Sequence, residues 1–434
     1  MSIRSRVRDI VLKLAAGITT VAAASAAACS PGPAGPGHAS GRTPGVTVTD
    51  QTYAVPRPLP PGQAGALIAA TDHGPDRVFA GTRRWTVLYH SADAHGADIP
   101  VSGTVLVPGG PPPPGGRPVV SWAHGTTGVA DKCAPSHAPN LGFNSYAQEL
   151  GSMLRAGYAV AATDYPGLGT PGMHTYLVGP DEGNAVVDIV TAARHLTPGL
   201  SPTWFAVGHS QGGQAALFAA NAARRAPDTR LGGTVAIAPA SHLETMLPGV
   251  IASHVSTELS FALYSLAGLS ATDPSTDLHT LLGPTGSATA NQVLNECLKA
   301  SYQPLSQVTT EATLPLDEAQ LAAIGGKMGA YGDPDRAAIG GPVLVVQGAD
   351  DHDVPPAWTA EVVGHLRALG SPAVADRTYP GAGHDDVLGR SVCDVLSFFA
   401  AHGGRPASGC VPFRTDVSDS RARRHAPASR PGAG

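Results

Sequence analysis

The stretch of residues 203–213 constrains the fold of this chain more than any other. It reads Thr-Trp-Phe-Ala-Val-Gly-His-Ser-Gln-Gly-Gly, an apolar run that ends in a serine flanked by glycines. The apolar run predicts a buried strand, and the small residues that follow predict a helix packed closely on a sheet. The pattern Gly208-x-Ser210-x-Gly212 is typical of a nucleophile elbow, a sharp turn that presents a serine between strand and helix. An ordinary glycine-rich turn is the alternative, but the flanking elements favour the elbow.

Apolar runs on both sides of this window alternate with helical patterns, which predicts an α/β fold with a mostly parallel sheet covered by helices on both faces. Two earlier runs, 84–90 and 101–107, alternate apolar and polar residues and predict a half-exposed antiparallel edge. The predicted parallel strands cover residues 118–123, 159–163, 203–207, 233–237, 343–347 and 374–379. The predicted helices between them cover residues 145–155, 181–196, 211–225, 357–369 and 385–400.

The alternation stops between residues 238 and 338, where no strand pattern is present. Apolar segments within this interval predict short helices instead. An interval of this length is too long for an ordinary connection. We therefore expect an inserted helical cap at 241–338, which divides the core into 79–240 and 339–412. A purely structural excursion is the alternative.

The N-terminus has the features of an export signal. Basic residues precede an apolar stretch that ends in three alanines before Cys29, which predicts a signal peptide over residues 1–28. A cysteine at this place resembles a bacterial lipobox, although Ala26 stands where leucine is usual. Lipidation of Cys29 with membrane anchoring, and ordinary cleavage with release, both remain open. Residues 29–78 are predicted to form a flexible tether and N-terminal extension, and 413–434 a disordered tail.

Net charge and cysteine use limit the compartment and the partners. Removal of residues 1–28 takes away four positive charges and one negative charge, so the net charge falls from −5 to −8, which argues against a nucleic-acid partner. A monomer is favoured. Four cysteines then remain for an oxidising compartment, and they allow three pairings. The favoured pairings are Cys393–Cys410, which is local, and Cys133–Cys297, which would tie a loop near the elbow to the insertion.

A serine hydroxyl needs a base, and the base needs an orienting carboxylate. Around an elbow the chain order is serine, acid, histidine, with the last two on loops after later strands. The loop after strand 343–347 offers Asp350, Asp351 and Asp353. The spacing from the preceding glycine and the Val-Pro that follows favours Asp351, with solvated or capping roles for the other two.

His384 is the favoured base, because it lies on a glycine-rich loop between the last strand and the closing helix. The triad predicted from the sequence is therefore Ser210, Asp351 and His384. The run His384-Asp385-Asp386 could alternatively bind a metal, but no third and fourth ligands are evident. We expect neither a metal nor an organic cofactor.

An oxyanion hole needs two backbone N–H groups aimed at the developing charge. Gln211, directly after the serine, is predicted to supply one. Gly125 is favoured for the other, with Thr126 as a near alternative. His124 and Tyr165 are candidates for substrate binding, since they lie on loops at the same sheet edge, but a structural role is the alternative for each.

Several short motifs stand in the order found in one enzyme family. The chain resembles, over about residues 79–412, the secretory lipases of the α/β-hydrolase fold, the yeast lipase-A type and its bacterial relatives. The motifs that carry the resemblance are Ser121-Trp-Ala-His-Gly-Thr with Cys133-Ala-Pro-Ser136, Thr163-Asp-Tyr-Pro-Gly167, Asp181-Glu-Gly183, Gly208-His-Ser-Gln-Gly212, the loop 348–355, Tyr379-Pro-Gly-Ala-Gly-His384, and Cys393 with Cys410.

The resemblance implies an exported carboxylic-ester hydrolase, a lipase or esterase, that acts on acyl esters or lipids and has a helical cap. It supports the same triad and the two favoured disulfides. One departure concerns the oxyanion loop, where the yeast enzymes carry an acidic residue and this chain reads His124-Gly125. The contact to substrate there is therefore expected to come from the backbone alone.

Two other functional classes fit the same scaffold. An exported serine aminopeptidase or peptidase would need an acidic anchor for a free amine. The insertion carries only scattered acids for this purpose, among them Glu244, Glu258 and Glu296. A non-catalytic binding protein is the third class, but degenerate members usually lose a triad residue, and all three are present here.

Overall fold

The computed structural model describes residues 51–415. The predicted signal peptide, Cys29 and residues 416–434 of the predicted tail lie outside the described residues. None of the helices between residues 51 and 415 is long and apolar enough to cross a membrane.

The core of the described chain is one sheet, with the spatial strand order β1-β2-β3-β5-β4-β6-β7-β8-β9. The first three strands and β5 pair antiparallel, and from β5 across β4 to β9 all pairs are parallel. The strands are β1 (Leu67–Pro75), β2 (Thr82–Ala92), β3 (Asp98–Pro108), β4 (Arg117–Ala123), β5 (Ala159–Thr163), β6 (Leu200–His209), β7 (Arg230–Ile237), β8 (Val343–Gly348) and β9 (Val374–Tyr379).

The antiparallel side of the sheet differs from the sequence expectation. Strand β1 lies outside β2, within the segment predicted to be an N-terminal extension. Residues 87–91 of β2 and residues 101–106 of β3 are buried on both faces, and several of them share an apolar cluster with residues of the covering helices, such as Ile189. The prediction of a half-exposed edge at 84–107 is therefore wrong. The two outer strands, β1 and β9, carry most of the exposed strand residues.

Helices cover both faces of the sheet. On one face, α1 and α11 pack through residues such as Leu150 and Phe399 onto Val120 and Phe205. On the other face, α2 and α3 bury small and branched side chains, among them Ile189. The helices are α1 (Asn144–Arg155), α2 (Gly179–Leu196), α3 (Gln211–Ala222), α4 (Met246–Ser253), α5 (Leu259–Thr272), α6 (Leu278–Val293), α7 (Leu298–Leu305), α8 (Thr310–Thr313), α9 (Glu318–Gly332), α10 (Pro356–Ala368) and α11 (Asp386–Ala401).

All named elements between β7 and β8 are helical, from the turn Leu243–Thr245 to α9. These helices bury their own apolar cluster, which includes Leu263 and Val293 and extends to Tyr176 in the core. Tyr176 and Tyr264 meet edge to face, with ring centroids 5.8 Å apart. The insertion therefore packs against loops at the sheet edge where the predicted site residues lie.

Residues 51–415 contain two disulfides, in the pairings favoured from the sequence. Cys133–Cys297 joins residues 164 positions apart, and Cys393–Cys410 joins residues 17 apart. Near the first bridge, the Leu298 N–H donates to the Thr127 carbonyl at 2.9 Å. The insertion is thus attached directly to the loop that follows β4.

Candidate active site

Ser210 lies on a strained turn between β6 and α3. Its backbone angles are φ 59° and ψ −120°, a conformation that costs a non-glycine residue about 1–3 kcal/mol. The turn is held because the Ser210 N–H donates to the Ile237 carbonyl at 2.9 Å and the Ala240 N–H donates to the Ser210 carbonyl at 3.1 Å. The serine is half-buried and follows the carboxyl end of β6.

The two motif glycines are required by close backbone approach. A Cβ atom at Gly208 would lie 2.0 Å from the Gly212 carbonyl oxygen, and one at Gly212 would lie 1.9 Å from that of Ala123. Atoms that are not bonded cannot come this close, so a side chain at either position would push α3 away from β4 and β6. The spacing of glycines around Ser210 therefore follows from the packing of a helix onto two strands.

His384 and Asp351 meet at the same edge of the sheet. The His384 Nδ1 donates to Asp351 Oδ2 at 2.8 Å, and both side chains are buried. Asp350 and Asp353, the competing acids, are exposed. The chain order and the loop positions therefore bring Asp351, rather than its neighbours, to the histidine.

The Asp351 carboxylate is held at both oxygens. Oδ1 accepts the backbone N–H groups of Asp353 and Val354 at 2.9 Å each, and Oδ2 accepts Gln347 Nε2 at 2.8 Å. Burial raises the pKa of Asp351, but the charge of His384 and these hydrogen bonds outweigh it and hold the pKa below its usual value. Asp351 is therefore a fixed anion. Gln347, which sequence reasoning missed, is itself held by Thr359 at 2.7 Å.

The structure does not leave Gly125 free as an oxyanion donor. Its N–H donates to the Tyr146 hydroxyl at 3.0 Å, so the oxyanion role of Gly125 stays a prediction that would require this bond to break. Within residues 51–415, the N–H groups of Thr126 and Gln211 have no protein acceptor. The N–H groups of Gln211 and of the near alternative, Thr126, are therefore available to an acceptor from outside the chain.

His124 lies in the loop after β4 that carries Gly125 and Thr126, and both His124 and Tyr165 are buried. The Tyr165 hydroxyl donates to the His124 carbonyl at 2.9 Å, and the two rings lie 4.4 Å apart. Burial lowers the pKa of His124, so its ring is neutral and donates through one nitrogen only. Nδ1 lies 2.7 Å from the Gly125 carbonyl, closer than Nε2 lies to the Asp164 carbonyl, at 3.2 Å. Both residues support the loop here, and direct contact with a substrate remains a prediction for each.

A buried polar group fixes the side chain of Gln211. Its Nε2 donates to Glu182 Oε1 at 2.8 Å and to His174 Nε2 at 3.0 Å. Burial raises the pKa of Glu182 to about 8 and lowers that of His174 to about 3. Both groups are therefore uncharged near pH 7, and their 3.8 Å separation is not an ion pair. Sequence reasoning missed His174 as a site residue, whereas Glu182 lies in one of the motifs that carry the resemblance.

A small apolar cavity lies beside the oxyanion loop, where the insertion meets the core. Its lining includes Tyr176, Leu243, Leu269 and Met328, and its volume of about 10 Å³ suits no more than about one water molecule. Tyr176 is hydrogen-bonded to the Thr126 hydroxyl at 2.7 Å. Within residues 51–415, no group of three or more potential ligands is placed to hold a metal ion.

A mostly parallel sheet with an elbow serine after an inner strand, and an acid and a histidine after later strands, defines the α/β-hydrolase fold. Residues 145–311 match the model of the secretory lipase family, which confirms the resemblance drawn from the sequence motifs. The match supports an activity that hydrolyses ester bonds. Together with the disulfides, it indicates an extracellular protein. No curated protein sequence matches this chain.

Solved structures show the same fold at low sequence identity. Lipase A of Candida antarctica superposes with a TM-score of 0.69 at 19% identity, over 87% of this chain and 93% of that one. Its closed state gives a TM-score of 0.67 at 18% identity, over 87% and 91%. The rice cell wall degrading esterase LipA of Xanthomonas oryzae gives 0.63 at 19% identity, over 75% and 94%.

Proposed function

We propose that this protein is an exported serine carboxylic-ester hydrolase, a lipase or esterase, that cleaves acyl esters such as triacylglycerols through an acyl-enzyme on Ser210. The observation that carries the proposal is the buried His384–Asp351 hydrogen bond at the sheet edge that also bears the strained Ser210. The secretory lipase match and the lipase and esterase names of the similar structures support the same reaction class.

In the proposed reaction the Ser210 Oγ attacks the ester carbonyl carbon while His384 Nε2 takes the hydroxyl proton. The tetrahedral oxyanion accepts hydrogen bonds from the N–H groups of Gln211 and Thr126. Collapse breaks the bond to the alcohol, which leaves with the proton from His384. Water, deprotonated by His384, then attacks the acyl-enzyme, releases the carboxylic acid and restores Ser210.

The proposed role of the insertion at 241–338 is that of a cap over the acyl site. An acyl chain would fit into the cavity at Tyr176, which has a volume of about 10 Å³, only if the insertion shifted. Its apolar lining suits the hydrocarbon part of a substrate. A short-chain esterase would not need this rearrangement.

Hydrolysis of p-nitrophenyl esters from acetyl to palmitoyl, with Ser210→Ala as control, tests the proposal. We expect Ser210→Ala to lower kcat by about 10⁴-fold or more, because the nucleophile is lost. A maximum at long chains would support a lipase with an acyl site under the cap, and a maximum at short chains would indicate an esterase. Near-native turnover by Ser210→Ala, or faster cleavage of aminoacyl amides than of esters, would reject the proposal.

A further inference from the structure

We propose that Tyr146 and His209 are positioning residues that join the oxyanion loop to the backbone of His384 through one directed chain of hydrogen bonds. This inference rests on the proposed ester hydrolysis at Ser210. Tyr146 lies in α1, on the face that packs against β4 and β6, and His209 is the last residue of β6. Neither residue touches the substrate in the proposed reaction.

Three contacts make up the chain. The Gly125 N–H meets the Tyr146 hydroxyl oxygen at 3.0 Å, and that hydroxyl meets His209 Nδ1 at 3.0 Å. His209 Nε2 in turn lies 3.0 Å from the His384 carbonyl oxygen. The path thus begins at the loop beside the proposed oxyanion donor Thr126 and ends at the proposed base.

The chemistry of the groups fixes the direction of every proton. A carbonyl oxygen only accepts, so His209 must carry its proton on Nε2 and donate it to His384. In a neutral ring Nδ1 is then the acceptor, and the Tyr146 hydroxyl donates to it. The hydroxyl oxygen remains to accept the Gly125 N–H, so all three contacts are satisfied by one arrangement.

Burial keeps His209 in this single state. The side chain is 1% exposed, and burial, reinforced by the nearby His384, lowers its pKa to about 3. A protonated ring would carry a second N–H at Nδ1 and would lose the bond from Tyr146. The neutral state therefore preserves the chain over the pH range in which an ester hydrolase of this class works.

Packing leaves Tyr146 little freedom. Its ring meets those of Trp122 and Phe143 edge to face, with centroids 5.2 and 5.1 Å apart. A Cβ atom at Gly125 would lie 2.4 Å from the Tyr146 oxygen, so only glycine allows the hydroxyl to reach the backbone here. The need for glycine at position 125 thus follows from Tyr146 rather than from an oxyanion contact of its own.

The expected consequence is that the oxyanion donors and the base keep a fixed separation. The bond to Gly125 orients the His124–Gly125 peptide, which directly precedes the peptide that carries the Thr126 N–H, and the bond to His384 holds the loop that carries the imidazole. Both groups act on the transition state rather than on the bound ester, so loss of the chain should reduce kcat and leave KM nearly unchanged.

Kinetics of Tyr146→Phe and His209→Asn test the inference. Tyr146→Phe deletes the hydroxyl, and His209→Asn removes the donor to His384 while its amide oxygen can still accept from Tyr146. We expect each variant to lower kcat by roughly 10- to 100-fold with KM within about threefold. The double variant should be little worse than the poorer single variant, because either change breaks the same chain.

Tyr158→Phe is the matched control. Tyr158 is also fully buried, and its hydroxyl accepts the Arg405 N–H at 2.7 Å, but it precedes β5 at the opposite edge of the sheet. We expect it to lose stability but to keep the native kcat. Native kcat in both Tyr146→Phe and His209→Asn, or an equal loss in Tyr158→Phe, would overturn the inference. Native turnover by Ser210→Ala would instead overturn the proposed function, and with it the role given to the chain.

Nitrogen-15 NMR of the histidines in the Ser210→Ala protein gives a second test that does not depend on turnover or on the folding of Tyr146→Phe. We expect His209 to carry its proton on Nε2 and to remain neutral between pH 5 and 9. A proton on Nδ1, or titration of His209 in this range, would contradict the directed chain.

Discussion

At His384, burial and charge act on the pKa in opposite directions. Burial lowers the pKa, while the Asp351 carboxylate, its hydrogen bond and the nearby acids Asp353 and Asp385 raise it. The effect of the nearby acids is larger than that of burial, so the pKa of His384 lies above the ordinary value of about 6.5. A base must be unprotonated, so the raised pKa moves the onset of activity to higher pH.

We therefore expect kcat/KM to rise with pH through a group whose pKa lies above 6.5. In Asp351→Asn the rise should move to lower pH, because the charge that favours the imidazolium is gone, while the plateau should fall by about 10⁴-fold. Titration of the acid released from an emulsified ester between pH 5 and 10 measures both profiles. A native profile that is already flat from pH 6 upward would contradict the expectation.

The residues of the site differ in whether the sequence around them is enough to predict their role. Ser210, His384 and the group of aspartates follow from motif spacing and chain order, because strand ends and loops bring them to one sheet edge. Tyr146, Gln347 and His174 could not be chosen in this way. Each acts through a contact with a distant segment, and the sequence around each reads only as a helix face, a strand end or a loop.

At the scale of elements, the most consequential link is the one between the insertion and the loop after β4. Cys133–Cys297 and the bond from Leu298 to Thr127 hold these segments together. The bridge closes a loop of 164 residues, whereas Cys393–Cys410 closes one of 17. Loop-closure entropy therefore favours the first bridge as the larger contributor to stability.

We expect Cys133→Ser/Cys297→Ser to lower the free energy of unfolding by about 5 kcal/mol, and Cys393→Ser/Cys410→Ser by about 3 kcal/mol. Only the first double variant should also lower kcat, since it loosens the loop that carries Thr126. Urea unfolding and ester hydrolysis of the two variants provide the comparison. Equal kinetic effects of the two changes would argue against a link between the first bridge and the site.

Strands were predicted correctly where their own residues form a clear apolar pattern. A strand was missed where its extended form depends on pairing with another segment. The predicted strands 159–163 and 374–379 agree with β5 and β9 residue for residue. Strand β1 was missed because Leu67–Pro75 contains alanines, a glycine and a proline, which have low strand propensity. Its extended form depends on pairing with β2, a segment that lies further along the chain.

At the scale of the whole molecule, the open question from the sequence is the attachment at Cys29. The disulfides and the family match indicate an extracellular location, and we propose that a lipid on Cys29 retains the protein at the cell surface. The site would remain close to a membrane without a membrane-spanning helix in residues 51–415.

Expression of the native chain and Cys29→Ser in a bacterial host tests the attachment. We expect the native protein in the membrane fraction, labelled by an alkyne fatty acid, because an acylated cysteine partitions into lipid. Cys29→Ser should be unlabelled and found outside the membrane fraction with unchanged activity. An unlabelled native protein in the medium would indicate ordinary signal-peptide cleavage.

The outer strands β1 and β9 are the places where another copy of the chain could pair with this sheet. An open sheet has two rows of unpaired backbone groups that could accept a strand from another molecule. Here β1 carries Asp72 in an ion pair with Arg83, and β9 presents Asp376 and Arg377 to solvent. Pairing with a strand of another molecule would desolvate these charged side chains, which disfavours extension of the sheet at β1 and at β9. Copies of this chain are therefore not expected to join through the backbone groups of β1 or β9.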